Sequence, residues 1–351
     1  MSQNSDKLQL KDFPKSTIFV VVLILSLAAF MVWDQSYWWD SRDDYSFGYL
    51  VPLFALFVIY DRKEAIIDFI TQADSNKENN EKTESLWIFN LVALSCFIAG
   101  SLLYLVGGLL RAATMPQNPA TLAISMGFAL VLLSSIFIFS SETIYGDKML
   151  LKNRLKLTFL FLFPALIWLI SAPLVSVLET KIRVFLLTQV TIVVFSLMDF
   201  LGFEIERQGN ILVLPKGVVG VEEACSGIRS LTACIFAGSF LASVYLKKFW
   251  KKFVLVFMAM IFAVLTNLFR SGFLTLWAYF YGADAINDHW VLPLIGDIGS
   301  VHDVMGMAVL ILTTIGLICL LPLLNFNLNT YLNGFDETEK PADKDVNITS
   351  S

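Results

Sequence analysis

The chain has 351 residues, 56% of them apolar, a mean hydropathy of +0.69 and a formal net charge of −5. That is more apolar material than one soluble core needs, and it falls in long blocks, which excludes a soluble globular protein and points to a polytopic integral membrane protein. Nucleic acid is not an expected partner, and the four cysteines lack zinc-type spacing, so no metal or other cofactor is expected.

A hydrocarbon core about 30 Å thick takes about 20 apolar residues as a helix. Blocks that meet this run over 16–33, 47–61, 87–110, 119–140, 157–178, 225–246, 253–276 and 302–324, which predicts an all-α bundle of eight transmembrane helices. The membrane domain is expected over 16–324, with a cytoplasmic segment 1–15 before it and a disordered cytoplasmic tail 325–351 after it. The polar loop 71–85 has the same disordered composition. The first block follows basic residues as a signal peptide does, but "SLAAFMVW" has no small-residue cleavage pattern, so it is read as an anchor. The second is short, and Trp38, Trp39 and Tyr49 are expected to anchor its outer end.

Positive charge alternates along the chain. Lys7, Lys11 and Lys15, then Arg62, Lys63, Lys77 and Lys82, then Lys148, Lys152, Arg154 and Lys156, then Lys247, Lys248, Lys251 and Lys252, and finally Lys340 and Lys344 put 17 of 25 basic residues on one side. Because basic loops stay in the cytoplasm, both termini are expected there, in the cytoplasmic (inner) membrane. The segment 184–202 would invert every later loop if it spanned, and it carries Gln189, two threonines and Asp199. It is read as an interfacial or re-entrant helix on the outer side. The outer segment 179–224 ends in a short hairpin with turns at Gln208-Gly209-Asn210 and Pro215-Lys216-Gly217.

The stretch "VEEACSGIRSL" (221–231) then gathers reactive groups at the start of the sixth block. Cys225 lies 22 residues before Lys247, roughly 33 Å along a helix, so it is expected at the outer end, near a helix N-terminus whose dipole favours thiolate. Cys96, Cys234 and Cys319 read as packing residues. Arg270, 18 residues past Lys252 and so roughly 27 Å up the seventh helix, is too costly to face lipid and is expected to point into the bundle. Asn267 shares its face. His302 opens the eighth helix at the same end, with Gly306 one turn below to permit close packing. Structural readings stand beside these: Arg270 as a snorkelling residue, His302 as a helix-end partner of Asp303. Three groups suited to acyl transfer at one depth favour catalysis by helices within about 225–324.

At these residues the chain resembles the exosortase/archaeosortase family: "EACSGIRSL", the "NLFR" of Asn267 to Arg270 and the "HDVMG" of His302 to Gly306 look like its three signatures. "FPALIWLISAPL" and "RQGNILVLPKGVVGVEEACSG" resemble its core, and "YSFGYLVPLFALFVIY" its N-terminal signature, over roughly 45–324. That last signature usually reads Ser-His-Gly, and Phe47 replaces the histidine here. The resemblance implies a cysteine-type membrane protease and transpeptidase. Its partners would be exported proteins with a C-terminal tripartite signal, a motif such as Pro-Glu-Pro, a helix and a basic tail. It further implies Cys225 as nucleophile, Arg270 as transition-state stabiliser and His302 as proton-transfer residue, with an unidentified acceptor and membrane lipids as further partners. Alternatives rest on the same set of residues: Ser226 in a rhomboid-like serine protease, Glu223 with Arg229 in a glutamate protease, or Arg270 binding an anionic solute in a transporter. Otherwise Glu222 and Glu223 read as helix N-terminal acids, and Arg229 as a residue that lowers the Cys225 pKa or binds phosphate headgroups.

Overall fold

The computed structural model describes residues 14–71, 83–220, 228–292 and 296–325; the expected tail and most of the 71–85 loop lie outside them. Its helices are α1 (Lys15–Ser41), α2 (Val51–Asp61), α3 (Lys63–Thr71), α4 (Thr83–Thr114), α5 (Asn118–Phe139), α6 (Leu151–Leu160), α7 (Leu162–Ser171), α8 (Ser176–Phe200), α9 (Ile228–Tyr245), α10 (Phe249–Tyr281) and α11 (Val301–Asn325). A three-stranded antiparallel meander, β1 (Glu206–Gln208), β2 (Ile211–Leu214) and β3 (Gly217–Gly220), precedes α9. A hairpin, β4 (His289–Leu292) and β5 (Gly296–Ser300), precedes α11. The protein is therefore a mostly helical polytopic membrane protein.

Among the described residues, seven helical stretches are long and apolar enough to cross a membrane: 15–41, 87–114, 118–139, 151–171, 176–200, 249–281 and 301–325. Ser230–Tyr245 is a shorter apolar helix. The expected span 47–61 is not among them. Its first part is a 3₁₀ segment, Asp43–Leu50, and α2 has only 11 residues. One face of it packs, Val51 and Ala55 in a core with Ala165, Ile167 and Trp168 of α7, while Leu53, Leu56, Phe57 and Tyr60 stay exposed. The expected span 157–178 ends earlier, at Ser171, because Pro173 forces Ala172 into extended backbone (ψ 138) and stops the helix.

The segment read as interfacial, 184–202, lies almost wholly in α8, which by length and composition is as able to cross as the others. Its packing runs differently. Leu186 and Val190 lie beside Ala263, Val264 and Asn267 of α10, and beyond its C-terminus Phe203 stacks edge-on against Tyr279, ring centroids 4.9 Å apart. Leu187, Val190, Val194 and Met198 share a core with Leu268 and Leu276. The helix thus runs alongside the second half of α10 in the same direction, and does not return toward Phe249, where α10 begins.

Two devices hold the first half of the bundle together. Gly127 lets α4 and α5 meet backbone to backbone, since a Cβ there would stand 2.6 Å from Tyr104 N and 2.7 Å from Gly100 O. Polar side chains also pair across the helices: Arg111 Nε donates to Asp34 Oδ1 at 2.7 Å, and Gln35 Nε2 donates to Ser125 Oγ at 2.7 Å while its Oε1 accepts from Ser171 Oγ at 2.7 Å. Asp34 and Gln35 have no solvent exposure, so these pairs set the register of α1 against α4, α5 and α7.

The predicted turns before α9 are both present, with left-handed backbone at Gly209 (φ 67) and Gly217 (φ 139), but the expected hairpin is a meander because Glu206–Gln208 adds a third strand. The β4–β5 hairpin was not anticipated.

Candidate active site

α10 and α11 are joined through Arg270 and His302. Arg270 Nη2 lies 2.8 Å from His302 Nε2 and 3.2 Å from the His302 carbonyl oxygen. Guanidinium nitrogens only donate, so Nε2 is the acceptor in this contact. Nδ1 is 3.3 Å from Asp303 Oδ1. The expected pair is therefore a direct contact, with Arg270 turned into the bundle. Gly306 lies under the guanidinium: a Cβ there would be 3.4 Å from Nη2 and 3.6 Å from Cζ. At that spacing any side chain branching beyond Cβ would displace the arginine, which is the close packing predicted from "HDVMG".

The start of α11 fixes the imidazole. Ser300 Oγ accepts from Asp303 N–H at 3.2 Å, and Asp303 Oδ2 accepts from Ser300 N–H at 3.2 Å and from the Ser300 hydroxyl at 2.8 Å. This is a reciprocal capping box, in which Ser-x-x-Asp satisfies the helix's first donors and sets the residue between them. His302 therefore leaves the helix at a fixed point, and Asp303 both caps the helix and approaches Nδ1. Ser300 was not singled out from the sequence, although "SVHD" carries the cap's signature.

On the preceding hairpin, the exposed His289 Nδ1 lies 2.9 Å from Asp297 Oδ2, and Gly299 N–H donates to Asp297 Oδ1 at 2.8 Å. The Gly299 amide, and then His289, hold the Asp297 carboxyl below its ordinary value.

Of the other expected site residues, Asn267 is where its spacing put it, one turn before Arg270 on α10 and 4% exposed. Arg229 is in the first turn of α9, its side chain outside the described residues. Cys225, Ser226 and Glu223 also lie outside them. The flanks of that stretch are described. β3 ends at Gly220, and its Val219 packs in one core with Leu274, one turn beyond Arg270, and with Val301, next to His302. On the other side, Thr232 of α9 donates to the Asp44 carbonyl at 3.2 Å. A charged network at this end was not foreseen: Arg42 pairs with Glu179 and, at 3.4 Å, with Asp44, and Arg183 lies 3.0 Å from Glu179. It ties the 3₁₀ segment to α8. Each charge is unremarkable alone in the sequence, and only the fold brings them together.

Residues 38–319, most of the chain, match the transmembrane exosortases. The chain belongs to the transmembrane exosortase family. No curated protein and no solved structure matches it. Membership makes it a membrane protein of the protein-sorting transpeptidase kind, and the Arg270–His302 pair falls within the matched region. In this exosortase the departure at Phe47 has a packing role: its ring lies 5.0 Å from Phe236, which stacks on Phe54 at 5.2 Å. An aromatic ladder between the 3₁₀ segment, α2 and α9 occupies the position where the family usually has histidine.

Proposed function

We propose that this exosortase is a cysteine transpeptidase that cleaves exported proteins at a C-terminal tripartite signal, a Pro-Glu-Pro-like motif followed by a helix and a basic tail, and passes them to an acceptor nucleophile. The observation that carries the reading is the Arg270–His302 contact across α10 and α11. Val219, just before the Cys225 segment, packs in the core that holds the neighbours of both residues. The pair also stands far along α10 from Lys247, Lys248, Lys251 and Lys252, roughly 27 Å from the last of them. With the basic end in the cytoplasm, the chemistry faces outward, both termini face inward, and a substrate helix with a basic tail presents the bond before it at the level of the pair.

In this mechanism the Cys225 sulfur attacks the scissile carbonyl carbon, and the carbonyl electron pair becomes an oxyanion. Arg270 Nη2 turns from Nε2 to that oxyanion, which stabilises it and frees the imidazole lone pair for the thiol proton. The C–N bond then breaks, His302 gives the proton to the leaving amine, and a thioester remains. The acceptor loses its proton to His302 as it attacks the thioester, which restores the thiolate or thiol. The Arg270–His302 contact is thus a resting-state latch released by the charge it stabilises.

The test is co-expression with an exported protein carrying such a tail. The unaltered protein converts it to a shorter, tail-free form and Cys225→Ala does not. Equal conversion by Cys225→Ala would remove the cysteine mechanism, and loss only in Ser226→Ala would favour the serine one.

A further inference from the structure

Beyond Arg270, α10 carries a ladder of aromatic rings on the same face. Trp277 and Tyr281 are seven and eleven residues past Arg270, each about 20° from it round the helix, with Phe273 to one side. Ring centroids of Phe273 and Trp277 are 5.8 Å apart, and those of Trp277 and Tyr281 4.5 Å. Arg270 meets α11 on this face, but α11 starts at Val301, next to His302. Farther along α10 the segment 283–292 takes its place. Trp290 lies edge-on to Trp277 at 5.9 Å, and Trp277 Nε1 donates to the Ala285 carbonyl at 3.3 Å. The half-buried Trp277 is thus held between two rings that stay open, Tyr281 at 67% and Trp290 at 41% exposure.

Tryptophan and tyrosine also form belts where helices meet lipid headgroups. A belt does not account for the ladder's direction. The exposed Phe269 and Phe280 lie roughly a quarter turn round α10 from Arg270, whereas Trp277 and Tyr281 follow the face that turns to His302. The ladder is therefore continuous with the reactive pair. Its spacing is also specific. Trp277 stands about 10 Å beyond Arg270 along the helix, the rise of about three residues of polyproline II chain. Tyr281 is about 6 Å farther, the rise of about two such residues. Proline presents a rigid apolar ring, favours that conformation at little ordering cost and docks on aromatic surfaces.

We propose that Trp277, Tyr281 and Trp290 form the subsite that selects two prolines one residue apart in the substrate, just before the scissile bond. The inference rests on the transpeptidase reading above, and the register follows from it. The substrate's helix begins after the cleaved bond, so the residues before that bond run away from the membrane and over these rings. The second proline, about three residues before the bond, seats between Trp277 and Trp290, and the first seats against Tyr281. A polyproline II helix has three residues per turn, which puts the two prolines on adjacent edges and the residue between them on the third, toward solvent. These rings therefore select the prolines and leave the middle position free.

The experiment uses a synthetic tailed peptide and a matched peptide with both prolines replaced by alanine. Both are given to the purified, detergent-solubilised protein and to the double variant Tyr281→Leu, Trp290→Leu, which keeps apolar side chains and removes the rings. Loss of the prolines lowers kcat/KM about tenfold with the unaltered protein, mainly through KM, and less than twofold with the double variant. Tyr281→Phe with Trp290→Phe, which keeps two ring faces, retains most of the tenfold discrimination. The single leucine variants, each with an intermediate penalty, give the same comparison where the double variant disturbs assembly. A proline penalty as large in the leucine variants as in the unaltered protein overturns the inference and leaves the transpeptidase reading intact. A general loss of turnover on both peptides alike, the sign of rings that only seat the protein in lipid, does the same. So does equal cleavage of the two peptides by the unaltered protein. Failure of the unaltered protein to cleave either peptide removes the transpeptidase reading and this inference with it.

Discussion

Replacing Arg270 with lysine keeps the charge and removes the geometry. Nη2 makes two bonds, at 2.8 Å to Nε2 and 3.2 Å to the carbonyl oxygen of His302, and lysine cannot make them from the same place because its Nζ falls where the guanidinium carbon stands. Each hydrogen bond to a charged group contributes about 1.5–3 kcal/mol. The transition state, in which Nη2 passes to the oxyanion, therefore loses about 2–4 kcal/mol after partial compensation by the ammonium, or about 30-fold to 1,000-fold in rate. The assay is the ratio of processed to unprocessed tailed substrate at matched membrane abundance, for Arg270→Lys and Arg270→Ala. Both variants are expected to fall in the impaired range. A lysine variant within about threefold of the unaltered protein would show that positive charge alone suffices and would refute the need for the guanidinium's geometry.

The remaining predictions concern the supports of the site and the fold. Gly306→Ala retains most processing, because its Cβ meets the guanidinium at ordinary contact distances of 3.4–3.8 Å, whereas Gly306→Val loses it; equal activity of the two variants would show that the guanidinium does not need this surface. Arg111→Leu strands a fully buried carboxylate at Asp34 and costs about 3–5 kcal/mol, read as a lower thermal midpoint that Asp34→Asn in the same chain partly restores. Depression of the Asp297 carboxyl below its ordinary value means that its contribution is present above that value and lost as pH falls through the lower, folded one. Amide exchange at Gly299, corrected for its intrinsic pH dependence, accelerates over that acidic window and does not do so in Asp297→Asn.

Much of this bundle is readable from apolar blocks, and the exceptions have physical causes. Residues 47–61 are apolar enough to suggest a span, yet hydropathy does not show that the first part is a 3₁₀ segment and that the α-helix after it has only 11 residues. In α8 the same ambiguity works in reverse: its composition permits a crossing, and only its packing along Leu268 to Tyr279 shows its direction. Arg270 was legible as a candidate because charge in an apolar helix is costly, and His302 because it opens the next predicted helix at the same end. Their contact is a fact of rotamers that spacing does not supply. The Ser300 cap was written in "SVHD" and passed over. That Asn267 Oδ1 and Ser271 Oγ lack partners among the described residues was not legible at all, since a sequence gives the face of a helix and not the partners that fail to reach it.

The central claim is that Cys225 becomes acylated. The most direct measurement is intact-mass and peptide mapping of the purified protein after rapid acid quench during turnover of a tailed substrate. The account predicts that Cys225 carries the substrate's new C-terminus as a thioester, that hydroxylamine releases it, and that His302→Ala leaves less of it formed in the same interval. Cleavage of the substrate with Cys225 unmodified at every time point, and undiminished in Cys225→Ala, would contradict it.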